Sequence, residues 1–167
     1  GAEFNDSDMA SDLTEAFTYQ KYPTYQQYLQ MMQSYVDRYP ELCRLDTFGT
    51  SEEGRLLLAL KISDNPGEDE AEARFFYSAT IHGNELVGYV LLLRMADTLL
   101  TAYETDAEIA NVVNNLEIWI NPLANPDGSF LANDSSLVNS IRENSNGIDL
   151  NRDFPDPDMG ESDDTTG

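Results

Sequence analysis

The sequence predicts an α/β fold with a partly parallel sheet, and two patterns carry that prediction. Short apolar runs, "LCRLDTF", "RLLLALKIS", "ARFFYSA" and "LEIWI", read as strands bounded by turn residues. Between and around them lie longer stretches whose apolar residues recur at one-face helical spacing. Strands that alternate with helices give a sheet with parallel pairs, because a helical crossover returns the chain in its original direction.

In chain order, residues 1–15 are polar and acidic and are expected to form a flexible arm. A helix is expected from Thr24, which can cap it; Tyr25, Tyr28, Leu29, Met32, Val36 and Tyr39 lie along one face until Pro40 stops it. The next two runs flank "GTSEEG", which suits a hairpin turn, and "DNPGEDEAE" is an acidic loop at a sheet edge. The third strand, Arg74 to Ala79, reads as buried and leads through His82 into a broadly apolar helix ending near Tyr103. A short helix, Asp106 to Val113, feeds the fourth strand, Leu116 to Ile120. From Asn121 to Gly167 periodicity stops, and the Asn, Pro, Asp, Gly and Ser content predicts functional loops, a disordered tail and a truncated domain.

Composition narrows the function. A hydrophobic content of 41% is enough for one cored domain. Nine Lys and Arg against thirty-one Asp and Glu give a formal net charge of -22, which repels nucleic acid and anionic membrane surfaces, so neither is expected as a partner. The acidity either serves solubility or draws in cationic ligands. Cys43 is the single cysteine, so neither an internal disulfide nor a thiolate metal cluster can form, and its apolar surroundings make it a core residue. The longest apolar run, Leu86 to Leu93, ends at Arg94 and is too short to span a bilayer. The chain starts with Gly and shows no leader, which reads as a trimmed chain and leaves native export open.

Three stretches carry candidate chemistry. In "TIHGNELVG" the only histidine, His82, stands three residues before Glu85 at a strand-to-helix turn, where both side chains can reach one cation. The same residues also suit a loop histidine beside a glutamate placed for the helix dipole. In "INPLANPDGSF" the Pro-Asp-Gly step specifies a tight turn. In "IRENSNGIDLNRDFPDP", Arg142 and Arg152, with Asn151 beside the latter, offer donors for a carboxylate or an oxyanion; surface ion pairing is the plainer alternative.

Taken in order, "HGNE", "NPLANPDG", Arg142 and "GIDLNRDFPDP" resemble the zinc metallocarboxypeptidase family, in wording closest to its regulatory N/E-like branch. The resemblance covers about residues 20–157 and includes the opening helix and hairpin. It implies an α/β/α sandwich around a mixed, mostly parallel sheet, with a Zn2+ ion held by His82 and Glu85. It implies further that Arg142 polarises the scissile carbonyl and stabilises the oxyanion, while Asn151 and Arg152 grip the C-terminal carboxylate of a peptide or protein substrate. Asn84 falls where the digestive branch carries an arginine.

The family's third zinc ligand, a histidine, and its general base and substrate-covering tyrosine have no counterpart here. The expected layout is therefore an arm at 1–15, the N-terminal half of a catalytic domain at 16–157 and an acidic tail at 158–167. Such a half is expected to bind zinc weakly, to hydrolyse nothing alone, and to need its missing half or self-association to complete the sheet. An N-acyl amino acid deacylase of the aspartoacylase type and a non-catalytic carboxylate-binding module are the alternatives. Family relatives are mostly exported, which implies a secreted or periplasmic location, and the branch implies a preference for C-terminal Lys or Arg.

Overall fold

The computed structural model describes residues 4–152 and 154. The expected acidic tail at 158–167 lies outside the described residues. The first helix to form a wall of the core, α2 (Tyr25–Arg38), begins as its sequence dictates: Thr24 Oγ1 accepts from the Gln27 amide, and Gln27 Oε1 accepts from the Thr24 amide, at 3.2 and 2.8 Å. Its fully buried line is Tyr25, Tyr28, Met31, Met32 and Tyr35. Leu29, Val36 and Tyr39 flank that line, only partly buried. Tyr35 belongs inside because its hydroxyl finds partners there, donating to the Leu93 carbonyl at 3.0 Å.

Residues 4–15 correct the expectation of a loose arm. Asn5 caps a 3-10 turn at Asp6–Asp8, Asp12 caps α1 (Leu13–Ala16), and Ser136 Oγ donates to Asp6 at 2.7 Å. Ala10 and Ala16 are buried. The polar residues that looked like a solvated tail are the local caps that hold these turns.

The sheet contains β1 (Cys43–Thr50), β2 (Leu56–Ile62), β3 (Ala73–Ser78) and β4 (Leu116–Asn121) in the order β1-β2-β4-β3. β1 and β2 form the expected antiparallel hairpin, and β2 also runs antiparallel to β4. Only β3 and β4 are parallel, joined through α3 (Val87–Ala102) and α4 (Ala107–Val113). The sheet is mixed, as expected, but its parallel share among the described residues is one pair, because the hairpin and its neighbour both reverse direction.

Leu58, Leu60 and Ile62 of β2 join Ile118 and Ile120 of β4 in one core with α2 and α3. Tyr28 of α2 meets Tyr89 of α3 edge to face, with ring centroids 5.6 Å apart. Alternation turns Lys61, Glu117 and Trp119 to the other face. There Lys61 Nζ pairs with Glu117 Oε1 at 3.0 Å and donates to the Glu68 carbonyl, under a roof made by the loop after β2. Burial alone would raise the Glu117 carboxyl, but the Lys61 hydrogen bond, the Glu70 amide, and the Lys61 and Arg74 charges outweigh it and hold it below the ordinary glutamate range. Burial pushes the Cys43 thiol up to about 12, in keeping with a core role.

β3 is not a buried strand. It lies at the sheet edge, exposed along its whole length, with Phe76 at 61% exposure. Apolar sequence reports that a strand needs cover, not that the described residues provide it. Val87 and Leu91 of α3 are also exposed. No helix among the described residues is long and apolar enough to cross a membrane.

Candidate metal centre

The turn after β3 is held in a demanding backbone conformation. Thr80, a β-branched residue, sits at φ 62°, in the left-handed region such residues avoid. Its carbonyl accepts from the Asn125 amide at 3.0 Å, so the strain is braced by the loop after β4. Two residues later His82 is 6% exposed at the carboxyl end of the parallel pair.

The imidazole lies between two carboxylates. Nδ1 is 3.0 Å from Glu85 Oε1, and Nε2 is 3.2 Å from Asp149 Oδ1. Asp149 Oδ2 accepts from Arg142 Nε at 2.8 Å, and Arg142 Nη1 stands 3.5 Å from Glu85 Oε1. His82 and Glu85, neighbours in sequence, thus form one cluster with Arg142 and Asp149 from a distant loop. The Asn151 amide also donates to Asp149 Oδ1; that bond, with Arg142 and His82, overcomes burial and pulls the Asp149 carboxyl down to about 2.

This donor set fits a metal ion. Asp149 is buried and already accepts from Arg142 and the Asn151 amide, which places its carboxylate to accept a proton from Nε2 of His82. A neutral imidazole has one N–H, so with the proton on Nε2, Nδ1 presents a lone pair to the Glu85 carboxylate 3.0 Å away. Two acceptors at that distance call for a cation or a proton between them, and an imidazole nitrogen with a carboxylate oxygen suits Zn2+. Glu85 is mostly exposed and can swing to share an ion with Nδ1.

Asn151 and Arg152 are less engaged. The Asn151 side chain is exposed; only its backbone amide reaches the cluster. The Arg152 guanidinium folds back onto the Asn151 carbonyl at 2.9 Å and is likewise exposed. Asn84 is exposed beside the turn.

The Pro-Asp-Gly step is a single helical turn, α5 (Pro126–Ser129), with all four residues buried. Asp127 accepts from Ser51 Oγ at 2.8 Å, from Arg55 Nη1 at 2.7 Å and from the Glu53 amide at 3.0 Å, fastening α5 to the hairpin turn. Sequence reasoning missed the roles of Asp149, Asp127 and Arg55. The available signals were an aspartate two residues before Asn151 and two acids, in an acid-rich chain, for which a half-buried arginine was the natural partner.

The α/β sheet presents an imidazole and a carboxylate at a strand mouth, with a guanidinium alongside. Residues 28–166 match the family model for zinc carboxypeptidases, and the chain belongs to that family. It is 41% identical over 127 residues to human carboxypeptidase D, 75% of this chain and 9% of that protein. It is 40% identical over 125 residues to carboxypeptidase SOL1 of Arabidopsis thaliana, 75% of this chain and 24% of that protein. Among solved structures, carboxypeptidase A from Helicoverpa armigera superposes with a TM-score of 0.68 at 25% identity, covering 81% of this chain and 34% of that one. Thrombin activatable fibrinolysis inhibitor shares the fold, with a TM-score of 0.73 at 23% identity over 89% of this chain and 38% of that one. The chain therefore spans well under half the length of these relatives.

Proposed function

We propose that this chain is the zinc-ligand part of a metallocarboxypeptidase that removes C-terminal residues from peptides, with residues 16–157 forming the N-terminal half of the catalytic domain. The observation that carries the reading is the His82 ring, held through Nε2 by Asp149 while Nδ1 faces Glu85 at 3.0 Å. In this reading His82 and Glu85 hold Zn2+, which when bound polarises the peptide carbonyl and lowers the pKa of its water. Arg142 steadies negative charge developing on the carbonyl oxygen, a role its Nη2 can serve because Nε is committed to Asp149. Asn151 and Arg152, exposed at the rim, bind the substrate's carboxylate, and the Arg152 fork must leave the Asn151 carbonyl to do so.

His82 is the only histidine, and the family pattern takes its third ligand from a later histidine, so the isolated chain binds zinc weakly and hydrolyses no peptide. The exposed edge of β3 is where further strands would complete the sheet, from a continuing domain or a second copy. A secreted or periplasmic site of action accompanies this reading and is checked by fractionation.

The test uses the native polypeptide on hippuryl-type peptides and on N-acyl aspartate, with and without chelator. Chelator-sensitive release of C-terminal residues supports the proposal. Activity confined to N-acyl aspartate would replace it with a deacylase, and activity on neither would leave a carboxylate-binding module. Peptide turnover by the isolated chain, after metal stripping and repletion, would refute the half-site reading.

A further inference from the structure

Three segments distant in sequence meet around one amide. Asn125 is 2% exposed, and its Oδ1 accepts from the Gly128 amide at 2.9 Å. Its Nδ2 faces the Ile81 carbonyl at 3.2 Å on the turn that carries His82, and the Glu143 and Arg142 carbonyls at 3.1 and 3.4 Å on the loop that carries Arg142. An amide has two N–H groups, so one serves the histidine turn and the other is shared on the arginine loop.

Further bonds close the same junction. Ser129 Oγ shares its one O–H between the Gly83 and Asn125 carbonyls, each at 2.9 Å, the Gly83 amide donates to the Arg142 carbonyl at 3.2 Å, and the Ile141 amide donates to the Gly128 carbonyl at 2.9 Å. The backbones touch without room for side chains: a Cβ at Gly83 would lie 2.3 Å from the Gly128 carbonyl carbon, and one at Gly128 would lie 2.2 Å from the Glu143 oxygen.

We propose that Asn125 is a positioning residue of the metal centre: it locks the His82–Glu85 turn against the Arg142 loop, so that metal affinity and the aim of the arginine are set together by a side chain that touches neither metal nor substrate. The inference rests on the zinc-ligand reading of His82 and Glu85. Asn125→Asp keeps the size and the acceptor for Gly128 but removes both donors, and places a carboxylate against three carbonyl oxygens.

The experiment measures zinc affinity and amide hydrogen exchange on the same chains. Asn125→Asp is expected to weaken zinc binding about 10- to 100-fold, as loss of an outer partner does, and to speed exchange at Gly83 and Ile141. The milder Ser129→Ala keeps the fold and is expected to weaken zinc binding about 3- to 10-fold, short of the full outer-partner loss. Asn121→Asp is the control, a similarly buried amide that donates to the Leu58 carbonyl at 2.8 Å within the sheet. It should lower stability while leaving the zinc affinity of folded chain within about twofold.

Equal loss of affinity in the Asn121 and Asn125 variants would overturn the proposal as general destabilisation. Wild-type affinity and wild-type Gly83 exchange in Asn125→Asp would overturn it directly. Should the unaltered chain bind no zinc, the zinc-ligand reading fails by itself, and the exchange rates still decide whether Asn125 joins the two loops.

Discussion

Replacing Asp127 by Asn tests whether α5 is fastened to the hairpin as the structure shows. The carboxylate is 2% exposed and accepts three hydrogen bonds, two at Oδ1 from Ser51 and Arg55 and one at Oδ2 from the Glu53 amide. The amide keeps one oxygen but loses the charge that strengthens the two Oδ1 bonds, at about 0.5–1 kcal/mol each. Its NH2 then opposes the Glu53 N–H, leaving a donor unsatisfied at about 1–3 kcal/mol. Arg55 retains Asp134 and the Phe130 carbonyl, which keeps its charge from being stranded. The sum is about 3 kcal/mol, a fall in Tm of about 6–12 °C for a domain of this size. Urea unfolding, read as a shift in midpoint at constant slope, measures it. A loss below about 1 kcal/mol would show that the three bonds do not anchor the loop and would refute the reasoning.

Other outcomes follow from the same structure. Gly83→Ala puts a methyl 2.3 Å from backbone, so zinc binding should fall at least tenfold, as expected of disturbed outer partners; unchanged calorimetric affinity would contradict the packing. Glu117→Gln strands the buried Lys61 and should cost about 3 kcal/mol near neutral pH. Because the Glu117 carboxyl is depressed, its contribution is fully present above the ordinary glutamate range and disappears as pH falls below it; wild type and variant should therefore converge in urea midpoint on acidification, and a gap that widens would reverse the sign. Phe76→Lys on the exposed strand should reduce concentration-dependent association of the isolated chain in sedimentation, while a wild-type chain that stays monomeric at all concentrations would show that its open edge is not adhesive.

The elements were legible because their signals are local. The Thr24 and Gln27 cap, the hairpin around Gly54 and the Asp106 cap each depend on residues within a turn of one another. The exposure of β3 was not, because three aromatic residues in a row look the same whether covered or bare. The seating of residues 4–15 was hidden for the opposite reason, since caps and solvated tails share a composition. At the site, His82, Glu85 and Arg142 stood out by chemical type and order, and the structure brings them into one cluster. Asp149 did not, because its importance lies in reaching across 67 positions to the imidazole, a contact that no local pattern encodes. Asn125 was quoted as part of a turn, but the carbonyls it binds belong to segments 44 and 18 residues away.

The most direct test uses the fact that His82 is the only imidazole in the chain, so its two ring nitrogens give the only histidine signals in a 15N spectrum. Adding zinc should move the Nδ1 resonance to a metal-bound position while Nε2 stays protonated against Asp149. Zinc that shifts Nε2 instead, or moves neither nitrogen at saturating metal, would contradict the assignment.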